Sequence, residues 1–168
     1  MQKVGIFYGS DTGNTEAAAQ LIQEELGADN ATIFNVADAK GSDMEEFSNL
    51  IFGASTMGIG DIQYDFEDFL PEIEAADLNG KKVAIFGLGD QYSYPDSFVD
   101  AIGDIYEKLD GKGCQVVGHV PTDGYDFDES RGEINGQFVG LPLDEENQGD
   151  LTSERIKEWV SKIKNEFI

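Results

Sequence analysis

An α/β fold, a single doubly wound five-stranded parallel sheet with an insertion in its fifth strand, is the class this 168-residue chain predicts. Three observations lead there. Short apolar runs alternate along the chain with segments of helical period. Most of those runs are apolar at consecutive positions, as strands covered on both faces are. One stretch, 119–138, is too long for an ordinary connection and precedes a further apolar run, Phe138-Val139-Gly140-Leu141.

The expected strands are 3–8, 31–36, 49–54, 82–87 and 114–118, each rich in Val, Ile or Phe. Ala18, Leu21, Ile22 and Leu26 share one helix face, and Gly27 suits the residue just past that helix. A weak pattern over 43–47 allows a short helical turn. Phe66, Phe69, Leu70 and Ile73 form the next stripe, with Pro71 expected to kink or shorten it. Phe98, Ile102, Ile105 and Leu109 form another, ended by Gly111 and Gly113. The last helix carries Ile156, Trp159, Val160, Ile163 and Phe167, with Thr152 expected as its N-cap and Leu151 stapled onto Ile156. Trp159 and Cys114 are expected to be core residues. One domain spans 1–168, with 119–138 an inserted lobe.

Eleven Lys plus Arg against 34 Asp plus Glu give a net charge of −23, which repels nucleic-acid backbones and anionic membranes. A single cysteine and no basic-then-apolar leader in residues 1–8 suit a cytoplasmic protein. The Asn30-Ala31-Thr32 acceptor pattern is then read as chance. The lone His119 supports neither a transition-metal site nor a histidine-assisted nucleophile.

Doubly wound sheets bind ligands beyond the carboxyl ends of their strands, where strand order reverses, so the loops of interest are 9–15, 55–64 and 87–95. The first reads Gly9-Ser10-Asp11-Thr12-Gly13-Asn14-Thr15 and runs into a helix. Free N–H groups at that helix start, with hydroxyls from Ser10, Thr12 and Thr15, suit a phosphate. No Lys or Arg occurs from Val4 through Ala39, so a phosphate would be held by neutral donors, as a monoester can be and a nucleoside triphosphate is not. The same residues are also ordinary turn and cap residues, and both readings stand on this loop alone. The second loop, Ser55-Thr56-Met57-Gly58-Ile59-Gly60, reads as a flexible turn by itself, and Met57 as a core methionine. The third, Leu88 to Tyr94, holds two tyrosines, Tyr92 and Tyr94, that turn packing alone explains.

Taken together, Gly9-Ser10-Asp11-Thr12-Gly13-Asn14-Thr15-Glu16, Gly87-Leu88-Gly89-Asp90-Gln91, Tyr94, Thr122-Asp123-Gly124-Tyr125 and Phe138-Val139-Gly140-Leu141 resemble the long-chain flavodoxins over the whole chain. The resemblance implies a flavodoxin-like fold and one non-covalent FMN. It also implies a low-potential one-electron carrier, not an enzyme, shuttling between semiquinone and hydroquinone. Ser10, Asp11, Thr12, Gly13, Asn14 and Thr15 would wrap the phosphate, and Thr56 matches a position near it. Ser55, Thr56, Met57, Gly58, Ile59 and Gly60 would edge the ring near N5, where the Gly58 carbonyl turns toward the N–H formed on one-electron reduction. One such bond, worth roughly 1–1.5 kcal/mol, shifts a potential by about 40–60 mV. Met57 stands where most members carry Trp. Leu88, Gly89 and Asp90 would meet the pyrimidine edge and Tyr94 the outer ring face, and Gly87 and Ser97 complete the cofactor-binding set.

Residues 41–80 hold ten acidic residues and no basic one. They are read either as a solvated face or as a field that lowers the second potential and steers basic-surfaced redox partners, a flavodoxin reductase or similar donor and an acceptor enzyme. No nucleic-acid or membrane partner is expected, and the chain is expected to be a monomer. The 119–138 segment, with Tyr125, Asp123, Asp126, Asp128 and Glu129, reads equally as partner surface or as scaffold. Two rival readings are a flavin-dependent quinone or azo reductase, which needs added chain over the ring, and a phospho-aspartate receiver. The receiver needs acidic residues where Gly9-Ser10 and Ser55-Thr56 stand.

Overall fold

A computed structural model describes residues 1–168. In chain order the elements are β1 (Val4–Gly9), α1 (Asn14–Leu26), β2 (Ala31–Asn35), α2 (Gly41–Glu45), β3 (Asn49–Met57), β4 (Asp61–Ile62), α3 (Tyr64–Ala75) and β5 (Lys82–Leu88). There follow α4 (Asp100–Leu109), β6 (Gln115–Val117), β7 (Val120–Pro121), β8 (Glu133–Ile134), β9 (Gln137–Phe138), β10 (Leu141–Leu143), α5 (Glu145–Gln148) and α6 (Thr152–Glu166).

The main sheet is parallel, with β2, β1, β3 and β5 side by side. The fifth position is shared by two strands. β6 pairs with the first half of β5, through Lys82, Val83 and Ala84, and β10 with the second half, through Phe86, Gly87 and Leu88. The chain between them makes a small antiparallel sheet in the order β7-β9-β8. The insertion therefore interrupts the fifth strand as its apolar halves predict. The expected run 138–141 divides: Phe138 belongs to the small sheet and Leu141 to the main one.

Each face of the sheet buries its own core. Phe7, Phe52, Phe66, Phe69 and Phe98 lie with α3 and α4, and Ile6, Ile22, Phe86, Trp159 and Ile163 with α1 and α6. Trp159 is buried and donates its indole N–H to Gly118 O at 2.8 Å. Cys114 is only half-buried, its thiol pushed up by burial. Tyr125 and Phe127 pack the inserted segment onto the α4 core. The Tyr125 hydroxyl donates to Pro142 O at 2.7 Å, and burial raises its pKa to about 12.

Three local expectations need correction. α3 runs through Pro71 to Ala75 rather than stopping short. Pro71 is exposed, so the carbonyl it leaves free faces water while Phe69, Leu70 and Ile73 hold the buried face. Thr152 is the first helical residue of α6, not its N-cap, because its hydroxyl is taken by the Glu145 carboxylate. Leu151 is itself the cap residue and not the residue before it, where a staple begins, and it is 40% exposed. No helix is long and apolar enough to cross a membrane.

Candidate functional site

Strand order reverses between β1 and β3, since the chain leaves β1 for β2 on one side and reaches β3 on the other. Beyond the carboxyl ends of β1, β3 and β5 lies a cleft of about 230 Å³ lined by all three predicted loops. Asp11, Thr12, Asn14 and Thr15 line it from the first, Ser55, Thr56 and Met57 from the second, and Leu88, Gly89, Asp90 and Tyr94 from the third. Glu145 and Glu146 close it from α5.

The first loop turns into α1 through Gly13, whose φ of +93° is open to glycine at little cost. Ser10 Oγ accepts the Gly13 N–H at 3.1 Å, so Ser10 and Gly13 brace the turn rather than line the cleft. The amides that open α1 have no intrahelical acceptor and carry the positive end of its dipole. No Lys or Arg lines the cleft, and four carboxylates do: Asp11, Asp90, Glu145 and Glu146. From the first loop the cleft is lined by the hydroxyl residues Thr12 and Thr15 with Asn14 and Asp11.

Gln63 secures this arrangement from outside the cleft. It is fully buried at the start of α3, where its Oε1 accepts the Phe66 N–H at 3.0 Å and its Nε2 donates to Asp11 Oδ1 at 2.9 Å. One side chain thus caps a helix and holds the first loop.

In the second loop, Met57 pairs with Asp61 across the β3–β4 turn. Thr56 Oγ1 accepts the Ala101 N–H at 3.0 Å, tying β3 to the start of α4. Gly58 and Gly60 both have positive φ, +51° and +109°. Ile59 is 87% exposed at the tip. None of Gly58, Ile59 and Gly60 lines the cleft.

In the third loop, Tyr94 lines the cleft and Tyr92 does not. Gly89 donates its N–H to Leu143 O at 3.0 Å. Gly87 lies within β5 against α4, where a Cβ would come within 2.6 Å of Ile102 Cγ1. Ser97 is buried beyond the loop and donates its N–H to Tyr94 O at 3.3 Å. Gly87 and Ser97 thus support the loop from behind. Burial pushes the Asp90 carboxyl up, but hydrogen bonds from Ser93, Asn147 and Tyr92 outweigh it and hold the carboxyl below its ordinary range. Asn147 reaches Asp90 Oδ1 at 2.8 Å and Asp144 Oδ2 at 2.9 Å. The buried Asp144 carboxylate accepts in turn from the backbone and side chain of Gln91, at 3.1 and 2.8 Å.

Sequence reasoning missed Gln63, Asp144, Asn147, Glu145 and Glu146. The two glutamates had a usable signal, because they directly follow the resumed fifth strand at a carboxyl end.

The comparisons agree with this geometry. A family profile described as "Flavodoxin" matches residues 6–159. The chain belongs to the flavodoxin family. It is 50% identical over 165 residues to a flavodoxin of Synechocystis sp., covering 98% of this chain and 97% of that one. It is 45% identical over 168 residues to flavodoxin 1 of Escherichia coli strain K12, covering 99% and 96%. Among solved structures, the flavodoxin of Fusobacterium nucleatum bound to flavin mononucleotide superposes with a TM-score of 0.95 at 38% identity, with 100% of both chains covered.

Proposed function

We propose that the chain binds one FMN in the cleft beyond β1, β3 and β5 and acts as a low-potential one-electron carrier, not an enzyme. The observation that carries this is a cradle of amides and hydroxyls without a cation, continuous with a slot that Met57 and Tyr94 line. Those donors suit a phosphate monoester, and the two side chains suit a flat aromatic ring. Bound FMN supplies the redox chemistry, one electron at a time.

The residues do the rest. The amides opening α1 and the hydroxyls of Thr12 and Thr15 hold the phosphate. Tyr94 covers one ring face by stacking, and Met57 covers the other through sulfur–aromatic contact worth about 0.3–1.5 kcal/mol. Leu88, Gly89 and Asp90 meet the pyrimidine edge. The Gly58 backbone offers its carbonyl to the ring edge, and its positive φ makes either orientation of that peptide inexpensive. A bond made in only one redox state shifts the equilibrium toward that state.

Asp11, Asp90, Glu145 and Glu146 set a negative field around the cleft, which opposes a further negative charge on the ring and lowers the second potential. The acidic surface also suits partners with basic surfaces, a reductase as donor and an acceptor enzyme. The carrier is read as a cytoplasmic monomer, residues 1–168 forming the FMN domain.

Reconstitution tests this. The purified chain with FMN should give a yellow complex that reduces in two separate one-electron steps. It should oxidise nicotinamide cofactors only when a reductase is added, at a rate that falls as salt rises. A chain recovered colourless once unbound FMN is removed would overturn the reading. Salt-independent transfer would overturn the steering by charge.

A further inference from the structure

Arg131 belongs to the inserted segment and lines no part of the cleft, yet its side chain reaches the loop that edges it. Its Nη2 donates to the Gly60 carbonyl at 2.9 Å. The rest of the guanidinium is held by two carboxylates of α4, Asp100 at its start and Asp104 one turn further on. Nη1 lies 3.2 Å from Asp100 Oδ2, and Nε and Nη2 each lie 3.1 Å from an oxygen of Asp104. The backbone N–H of Arg131 donates to the other Asp100 oxygen at 2.8 Å. The Asp100 side chain is only 5% exposed, so both its oxygens are committed to residue 131.

Two glycines clear the space for this contact. A Cβ on Gly60 would lie 2.9 Å from Asp100 Oδ2, and a Cβ on Gly103 would overlap the Arg131 backbone carbonyl. The other end of the turn is fixed by the pairing of Met57 with Asp61. Between these ends nothing approaches: a Cβ on Gly58 would meet no atom within 4 Å, and Ile59 is 87% exposed. The turn is thus anchored at both ends and free in its middle.

We propose that Arg131 is a positioning residue for the redox site, clamping the Gly60 carbonyl so that only the peptide joining Gly58 to Ile59 can turn. This rests on the reading of that peptide as the backbone facing the flavin. A loose turn spreads over many conformations, and each makes the redox-sensitive bond less well. The clamp restricts the turn to two. It also gives the insertion a task at the site that its own sequence does not reveal. A simple exposed ion pair would contribute little. The bond to a neutral carbonyl is what couples this one to the loop, and it needs the planar fork of arginine.

Removing Arg131 also removes a positive charge, so the test must separate clamp from field. Arg131→Gln makes the chain more negative and removes the guanidinium, while Asp104→Ala makes it less negative and loosens the guanidinium. Because the ring takes up a proton at N5 with the electron and stays neutral, a field effect alone leaves the relative affinity for one-electron-reduced over oxidised FMN nearly unchanged in both. The clamp predicts a fall in both, about tenfold for Arg131→Gln and about threefold for Asp104→Ala, the scale of one hydrogen bond. Arg131→Lys, which keeps the charge, should resemble Arg131→Gln. In flavin-free protein the amides of Gly58 to Asp61 should exchange hydrogen faster in both variants, on the order of tenfold. Opposite shifts, an unchanged affinity ratio or unchanged exchange would each overturn the proposal. Wild-type chain that takes up no FMN overturns the carrier reading and the redox part of this claim with it. The exchange comparison needs no flavin and tells the two failures apart.

Discussion

Gln63 Nε2 and Asp11 Oδ1 are joined across 52 residues by a hydrogen bond of 2.9 Å, and the same amide caps α3 through Phe66 at 3.0 Å. Gln63→Leu keeps the volume and removes these bonds together with a third, from Nε2 to Asp65 Oδ2 at 3.0 Å. It should lower stability by about 1–2 kcal/mol, the scale of a lost cap and one buried bond. FMN should bind several-fold more weakly because the first loop loses its tie. Urea unfolding and a flavin titration read the two effects. Weaker binding without lost stability would leave the capping role unsupported.

Met57 offers less ring contact than an indole would. Met57→Trp should tighten FMN binding by roughly 0.5–1.5 kcal/mol, the scale of aromatic stacking, and deepen the quenching of flavin fluorescence. Tyr94→Ala should do the reverse. Fluorescence titration decides it, and an unchanged affinity in Met57→Trp would mean that Met57 does not face the ring.

His119 ties stability to pH. Burial, and then the Lys162 ammonium, hold its imidazole below the ordinary 6.5, with Glu166 pulling the other way. The unfolded chain therefore takes up a proton near 6.5 that the folded chain accepts only at lower pH. This contribution is complete above 6.5 and is lost as pH falls from there through the folded value. His119→Gln should flatten that part of the profile between about pH 7.5 and pH 5.5. The difference between the urea midpoints of the two proteins isolates it. With one histidine in the chain, its NMR titration checks the folded value directly.

Gly103 sits inside α4, where alanine normally gains about 1 kcal/mol in helix propensity. Here the added Cβ would overlap the Arg131 carbonyl, so Gly103→Ala should lose about 1–3 kcal/mol instead. Thermal unfolding gives the sign. A gain would show that the inserted segment does not press on α4.

The parts legible in the sequence are those governed by local periodicity. The β1 run Val4–Gly9, the α1 stripe of Ala18, Ile22 and Leu26, and the turn through Gly13 all declare themselves within a few residues. Tyr94 lines the cleft and Tyr92 does not, a difference that two tyrosines in one loop do not reveal by themselves. What stayed hidden depends on partners distant in sequence. Thr152 looks like a cap until Glu145 is seen to hold its hydroxyl. Gln63 and Asp144 read as ordinary polar residues, because their partners Asp11 and Gln91 lie 52 and 53 positions away. Pro71 misleads because its cost depends on whether its side of the helix meets water.

Parallel titrations of the flavin-free chain with FMN and with riboflavin, which differ only in the phosphate, bear most directly on the cation-free cradle. FMN should bind at least tenfold more tightly, on the scale of the charge-assisted bonds that the α1 amides and the Thr12 and Thr15 hydroxyls can supply. Inorganic phosphate should compete with it. Equal affinities for the two flavins, with no competition by phosphate, would contradict the cradle.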